Sequence, residues 1–576
     1  MRQSAQNAWI SLGLALLLAG CAAGAPRGQT AATDLPQASA RKQIVAGILS
    51  QPAGFFHEMT NPTGTPSSVP GLQETYQLVN ATLSYTDLAS NRHAWLAEDV
   101  PSTDNGLWTV HPDGRMDTTW RIRKGVRWHD GEPMTSDDLR FTMDVYRDKD
   151  SGVLTIPELA LVESVDTPDA QTIVVHWRRP LISADSMFGG GIAMWPLPQH
   201  VLDQPFRDNK DGFLGLSYWR GDFVGTGPFK VEEWVTDSHI VLVANDDYVL
   251  GRPRIDQVVV RFFSERSAFV AAILASAIQL PLGRGLYPED VMQVREAGHD
   301  IKTQLSGPLG NLAPVYPQFM NPDPPIVANV NFRRALLMAI DRQEMTETLN
   351  YGLSPVAQSW VQPDIPEGRA VEDSIVRYDY NLRAASQMIQ DLGYTKDPDG
   401  MFRDSSGALL SVSLKTHTQN SAHQPGTLAV ARYWKAAGID VQLEILGAEA
   451  AHDLKWRAEY PAFFFIIRGL RIDHPDQNFA TKVIPTSDNH YVGGNVARFG
   501  SAEADGYIDR YLRTIPFGER TAALADLVHL QTDQVTMMPL FFQGAAYVVG
   551  ANNIQNVNAG TAGTGQAWNA YQWDMS

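Results

Sequence analysis

The stretch from Leu409 to Leu446 constrains the fold more than any other part of this 576-residue sequence. Leu410, Val412 and Leu414 recur with a period of two, the spacing of a strand with one buried face. Leu428, Ala431, Trp434 and Lys435 then follow helical spacing, and Gly438 stands where a left-handed helix stop is wanted. Ile439, Val441, Leu443 and Ile445 alternate again. Strand, helix and strand in such close succession form a crossover unit with parallel strands. Units of that kind belong to α/β architecture, in which helices cover the faces of a sheet.

Strand and helix signals alternate elsewhere too. The first strand is expected at Gln43–Ile48. Thr118, Trp120 and Ile122 alternate, Lys124-Gly125 turns, and Val126-Arg127-Trp128 resumes a strand before His129-Asp130-Gly131. Thr135 with Asp138 three residues on is a capping signal for a helix through about Tyr146. Asn331 reads as the N-cap of a helix whose face holds Phe332, Ala335, Leu336, Ala339 and Ile340. Asp341, followed by Glu344, opens the next helix. Leu382, Ala385, Met388, Ile389 and Leu392 share a further helical face that Gly393 ends, and Asp399-Gly400 is a turn signal.

Ahead of this body lies an address. Arg2 is the only charged residue before Cys21, and Ala8 to Leu18 is apolar. That run is shorter than the ~20 residues a spanning helix needs, and it suits the core of a secretory signal. It ends in Leu18-Ala19-Gly20-Cys21, which resembles the lipobox of bacterial lipoproteins. The resemblance implies cleavage after residue 20 and acylation of Cys21, the single cysteine of the chain. One cysteine excludes an intramolecular disulfide and a cysteine-based zinc site. Residues 22–40 are rich in Ala, Gly, Pro, Thr and Gln, cannot bury a core, and read as a flexible tether.

Several chemistries are excluded. Net charge is −18 with no block of Lys and Arg, so the chain lacks the cationic surface that nucleic acid binding requires. Gly-x-Ser-x-Gly, His-Glu-x-x-His and the phosphate loop are absent, and no enzyme activity is expected. Gly189-Gly190-Gly191 and the glycine-rich run 560–565 read as loops. The 14 histidines are scattered without close pairs at ligand spacing; no metal and no cofactor are expected.

Six segments, in order, resemble solute-binding protein family 5, the peptide, dipeptide and nickel receptors of bacterial ABC importers. They are Trp120 to Asp138, Gly225-Thr226-Gly227-Pro228-Phe229-Lys230-Val231 with Trp234, Asn331 to Arg342, Ala437 to Val441, Gly493-Gly494-Asn495, and Met538-Pro539-Leu540. Ala275 to Leu280 departs from the family's Gly-Glu-x-Asp turn. The resemblance implies a two-lobe periplasmic-binding-protein-like α/β fold of the large cluster C type, with an inserted extra domain and a hinge between the lobes. The implied division is a signal peptide at 1–20, a lipidated tether at 21–40, lobe I from 41–85, 216–312 and 534–576, an inserted domain at 86–215, and lobe II at 313–533. The implied function is a monomeric extracytoplasmic receptor, lipid-anchored to a bacterial membrane on its periplasmic or cell-surface side. It captures an oligopeptide or dipeptide between the lobes and delivers it to the permease subunits; the alternatives are an oligosaccharide or nickel ligand and, outside the receptor class, a secreted lipoprotein hydrolase.

The resemblance also implies site residues. Peptide receptors of the family pair the ligand's α-amino group with an aspartate, and Asp473 in Arg468-Gly469-Leu470-Arg471-Ile472-Asp473-His474 is the matching residue. The chemistry is sound, because an ammonium taken out of water needs a paired anion. Here Leu470 stands where the family has an aromatic, and His474 replaces a common tyrosine. Arg468 and Arg471 are candidates for a ligand carboxylate. Phe463 to Ile467 reads as a buried strand whose end near Gly469 opens onto a crevice. Gln318 and Asn321, at the end of a strand over 315–320, are placed at a lobe crossing. Trp456, Trp360 and Trp195 are aromatic candidates, and Asn495 completes the set. His129 reads as a structural loop histidine.

Overall fold

The computed structural model describes residues 41–55, 70–87, 91–153, 156–189, 194–283, 285–297, 301–306, 311–352, 354–543, 545–558 and 565–576. The leader, the tether and Cys21 lie outside the described residues, as do Gly190, Gly191 and residues 560–564.

Strand β1 (Gln43–Leu49) opens the body. The next part carries β2 (Trp108–Val110), β3 (Met116–Arg121), helix α1 (Ser136–Arg147), β4 (Val162–Asp169) and β5 (Thr172–Trp177). These strands form an antiparallel sheet in the order β2-β3-β5-β4. Thr118, Trp120 and Ile122 are all buried, as their alternation requires, and Thr135 with Asp138 forms the capping box of α1.

Val126-Arg127-Trp128 is not a strand. Gly125 turns at φ +86° and only an isolated bridge, Arg127 to Pro133, remains. The side chains on either side dictate this. The Trp128 indole donates to Asp138 Oδ2 (3.3 Å). The His129 ring accepts from the Gly225 amide at Nδ1 (3.1 Å) and donates from Nε2 to the Gly227 carbonyl (3.1 Å). Burial pushes the His129 pKa down to about 4, so the ring is neutral and structural.

Strands β6 (Phe229–Val235), β7 (His239–Ala244), β8 (Gln257–Phe263) and the short β9 (Leu280–Pro281) build a second sheet with β1, in the order β9-β1-β8-β7-β6. β1 is parallel to β8 and β9, and the rest is antiparallel. β10 (Ile301–Ser306) follows.

A third sheet begins with β11 (Asn311–Pro317). It is followed by α2 (Val330–Met338), α3 (Arg342–Leu349), α4 (Leu382–Asp391), β12 (Ser411–His417), α5 (His423–Ala437) and β13 (Asp440–Leu446). Then come β14 (Phe463–Phe465), β15 (Arg468–Gly469), α6 (Phe517–Asp533), β16 (Met538–Phe542) and β17 (Ala545–Ala551). The sheet order is β13-β12-β14-β11-β15, with β16 also on β11. The β12-α5-β13 unit is parallel, with Val412 opposite Val441 and Leu414 opposite Leu443, and Gly438 takes φ +103° at the helix stop.

Two details of these helices correct the sequence reading. Leu428 is 45% exposed, because α5 rests on Val430, Ala431, Trp434 and Ala437 instead. The N-cap of α2 is Asn329, whose side chain accepts from the amides of Asn331 and Phe332. A 3-10 turn at Pro325–Ala328 starts the helix two residues earlier than Asn331 would.

Two crossings connect the second and third sheets, all within one compact unit from Lys42 to Ser576. The chain passes from β10 to β11 and returns from β16 to β17. β10 pairs with β17 and β11 with β16, so the strands flanking the two crossings lie side by side. The Gln543 amide donates to the Asn311 carbonyl (2.7 Å) between them. β16, which lies beyond the boundary expected at 534, pairs with the third sheet. All five residues of β16 are buried, and such an apolar run needs cover on both faces.

Two buried arginines hold β16 in place. Arg333 of α2 donates to the carbonyls of Val327 (2.9 Å), Ala328 (2.7 Å), Gln534 (2.7 Å) and Val535 (3.2 Å). Arg342 of α3 donates to the carbonyls of Ala357 (2.7 Å), Pro539 (3.1 Å) and Tyr378 (2.7 Å). Burial pushes both guanidinium pKa values down to about 10, still charged at neutral pH.

Two outcomes follow from these contacts. Arg342→Ala strands two buried carbonyls and a part-buried one and should cost about 3 kcal/mol, read as a lowered urea midpoint. His129 binds its proton near 6.5 when unfolded and about 4 when folded. The unfolded chain therefore holds the extra proton in between, and stability falls as pH drops from about 6.5 to about 4, by up to ~3 kcal/mol. Melting curves of the wild type and His129→Asn across that range should converge toward low pH.

Candidate functional site

Strand β14 is a run of three phenylalanines, fully buried and parallel to β12. The chain leaves its carboxyl end, where open α/β sheets place ligand sites. It then makes β15 against the start of β11, with Gly469 opposite Asn311, and turns through Leu470 to Asp476. A Cβ at position 469 would stand 3.3 Å from the Asn311 Oδ1, so glycine suits this close approach.

Asp473 lies on this turn with 28% of its side chain exposed. Arg471 grips it with a fork, Nε to Oδ1 at 3.0 Å and Nη2 to Oδ2 at 2.5 Å. Burial pushes the Asp473 carboxyl up, but the Arg471 hydrogen bonds and charge, with His474, more than offset it. The net direction is down, and Asp473 is ionised at neutral pH.

The turn meets Glu158, from the segment Pro157–Leu161 between α1 and β4. Glu158 is 316 positions from His474, yet the His474 Nε2 and Glu158 Oε1 are 2.7 Å apart and both side chains are about nine-tenths buried. Arg471 Nη2 lies 3.8 Å from the same Oε1. Burial raises the Glu158 pKa, the His474 hydrogen bond and the charges of His474 and Arg471 lower it, and the net direction is down. Asp476 adds a third carboxylate, 3.9 Å from His474 Nδ1 and 3.3 Å from Lys482 Nζ. Beside Glu158 is an apolar void of about 10 Å³ edged by Trp177, Leu181, Met187 and Met194.

Asp473 and Arg471 are thus brought together, with Gly469 at the base of the turn. The other candidates are held elsewhere. Arg468 is spent on the Gly494 carbonyl (3.0 Å) and Asn478 Oδ1 (2.6 Å). Asn495 is buried, its amide donating to the carbonyls of Phe479 (3.0 Å) and Phe499 (2.9 Å). Trp360 is core: its indole donates to Gln531 Oε1 (2.7 Å) and its ring packs on Phe479. Trp195 is core as well, packed on Tyr76. Trp456 donates to Glu444 Oε1 (2.6 Å) and lies under Lys415 Nζ (5.1 Å).

Gln318 and Asn321 lie away from the β10–β11 connection. β11 crosses at its beginning, near Asn311, and these residues follow its far end at Pro317, ~20 Å along the strand. The Gln318 amide is buried and donates to the carbonyls of Ala458 (3.1 Å) and Tyr460 (2.9 Å), while its oxygen accepts from the Met320 amide (3.1 Å). Asn321 is exposed.

Glu158 was not legible as a site residue. It follows no motif, and only the tertiary fold brings it to His474. A second group that spacing alone did not reveal is the buried pair His417 and His423, ring centroids 4.9 Å apart at the carboxyl end of β12. His423 is satisfied by the Ile467 amide and the His417 carbonyl. Burial pushes the His417 pKa down to about 4. Among the described residues no cluster of three or more metal-ligating side chains occurs.

Comparison with known proteins gives a consistent result. A profile of bacterial extracellular solute-binding proteins, family 5 Middle, matches residues 93–490. A candidate ABC transporter peptide-binding protein of Brucella ovis is 30% identical over 289 residues, 50% of this chain and 51% of the relative. The match thus spans about half the length of that relative. The oligopeptide-binding protein AppA of Bacillus subtilis is 25% identical over 448 residues, 75% of this chain and 74% of that one. Its structure with a nonapeptide superimposes at a TM-score of 0.61, with 20% identity over 93% of this chain and 99% of AppA. NikZ of Campylobacter jejuni, solved with Ni(L-His), gives a TM-score of 0.66 with 16% identity over 92% of this chain and 99% of NikZ. At these identities the two structures establish the shared two-lobe fold.

Separating scaffold from site is a matter of substitution. Gln318→Ala leaves two buried carbonyls and an amide unpaired and should cost about 2 kcal/mol of stability. Asn321→Ala, at an exposed position, should stay within about 0.5 kcal/mol of wild type, and thermal unfolding of both compares them directly.

Proposed function

The chain belongs to the bacterial extracellular solute-binding proteins of family 5, and from that membership we propose that it is the receptor of an ABC-type importer that captures a peptide by its free amino end. The observation that carries this reading is Asp473: ionised, partly exposed, and set on a turn at the carboxyl end of a buried parallel strand. An ammonium leaving water requires such a carboxylate. Arg471 is shared between Asp473 and Glu158, and one oxygen of Glu158 and one of Asp476 are buried without a hydrogen-bond partner among the described residues, so carboxylate oxygens here outnumber the donors that meet them. The names of the Brucella and Bacillus relatives favour peptides over other cargo.

The lobes in this reading are the parts on either side of the β10–β11 and β16–β17 crossings, and the inserted domain is the part built on the four-stranded sheet. Closure of the lobes about the crossings would enclose the peptide and give the permease subunits a surface that the empty receptor lacks. The receptor works outside the cytoplasm as a monomer, tied to a membrane through acylated Cys21. It binds its cargo and does not transform it.

A tryptic digest of casein tests the function. Ligand bound only to the folded form stabilises it by about 2.7 kcal/mol at a hundredfold excess over Kd. The digest should therefore raise the melting temperature, and native mass spectrometry should find intact peptides bound. Amino-terminal acetylation of the digest should abolish most of the shift, and so should Asp473→Asn. A shift of the same size with the acetylated digest would exclude recognition through the amine.

A further inference from the structure

Glu158 and Arg471 stand at the junction between the four-stranded part and the six-stranded part of the molecule, and neither is in its best-paired state. Arg471 spends Nε and Nη2 on Asp473, at 3.0 and 2.5 Å. The same Nη2 is 3.8 Å from Glu158 Oε1, close enough for attraction and too far for a hydrogen bond. Glu158 is about nine-tenths buried, and its Oε1 is taken by His474. Its Oε2 is buried without a hydrogen-bond partner among the described residues. A buried carboxylate oxygen left unpaired is costly, and a guanidinium is the donor best shaped to satisfy it. The Arg471 side chain is 42% exposed, so solvent rather than packing surrounds much of it.

We propose that Arg471 is a positioning residue that passes from Asp473 to Glu158 when a cationic ligand group occupies Asp473. This rests on the reading of Asp473 as the amine anchor. An incoming ammonium at Asp473 cannot share that carboxylate with the full Arg471 fork. Two cations on one carboxylate repel each other, and more strongly in the lower dielectric near a protein surface than in water. Glu158, already within 3.8 Å, is the nearest carboxylate able to receive the displaced guanidinium. Of the other charged groups on the turn, Asp476 gives one oxygen to Lys482 (3.3 Å) and makes no ion pair with Arg471, and His474 is engaged by Glu158.

The exchange has a consequence for closure. The Arg471–Asp473 pair lies within one turn of the six-stranded part. That turn is already joined to the inserted part by His474–Glu158 (2.7 Å), and a close Arg471–Glu158 pair adds a second contact between them. Ligand binding thus trades a local ion pair for one that reinforces the tie between two parts of the molecule. By linkage, whatever strengthens the tie strengthens ligand binding by the same factor.

A double-mutant cycle tests this, with calorimetric affinities for the casein peptide best retained by the wild type. Glu158→Gln should weaken binding about tenfold in the wild-type background and less than about twofold in an Arg471→Gln background, because Glu158 acts only through Arg471. Equal weakening in both backgrounds would mean that Glu158 touches the peptide itself, and no weakening in either would mean that it does not act; both overturn the relay. Asp473→Asn reports separately on the anchor. Unchanged affinity there removes the anchor and the relay together, whereas strong weakening there with equal Glu158 effects removes the relay alone. Should Glu158→Gln fail to fold, Glu158→Asp keeps the charge, retracts it by one methylene, and is expected to show the same contrast between backgrounds.

Discussion

The return of the chain between the second and third sheets depends on two guanidiniums taken out of water. Arg333 and Arg342 each bond three or more backbone carbonyls, several of them on or beside β16. A buried charge is tolerated only when its hydrogen bonds are met, so these contacts fix the position of residues 534–540 against α2 and α3. β16 in turn pairs with β11, and the two strands carry both crossings. The register of the crossings, and with it the relation of Gly469 to Asn311 at the base of the candidate turn, follows from where β16 is held.

Charge is arranged differently at the site. In the scaffold, Arg468, Gln318 and Asn495 each hydrogen-bond to groups within the protein. Around Asp473 the pairing is incomplete. One Glu158 oxygen and one Asp476 oxygen are buried without hydrogen bonds among the described residues, and Arg471 stands between two carboxylates. An excess of acceptors over donors in a confined place suits the reception of a cation.

Much of the fold was legible in the residues. The period of two in β12 and β13, the helical period between them and Gly438 specified a parallel crossover unit, because each spacing matches one backbone geometry. The Thr135–Asp138 box was equally plain, since a cap is a local event. Errors came where distant side chains took over. Val126 to Trp128 has strand composition, but the hydrogen bonds of Trp128 and His129 to Asp138 and Gly227 curl it into a turn. Leu428 has helical spacing with its neighbours and still faces solvent, because α5 is rotated to bury Val430 and Trp434.

By itself the sequence determined the α/β class, the crossover unit and the family. Each of these is written in local spacing or in short motifs. Only the tertiary structure decided which polar residues were already satisfied, that β16 lies with the six-stranded sheet, and that Glu158 reaches His474 and Arg471 across 316 and 313 positions. Hydrogen bonding and burial are properties of atoms near in space. Where the chain folds back over hundreds of residues, no periodicity along it records which of them will meet.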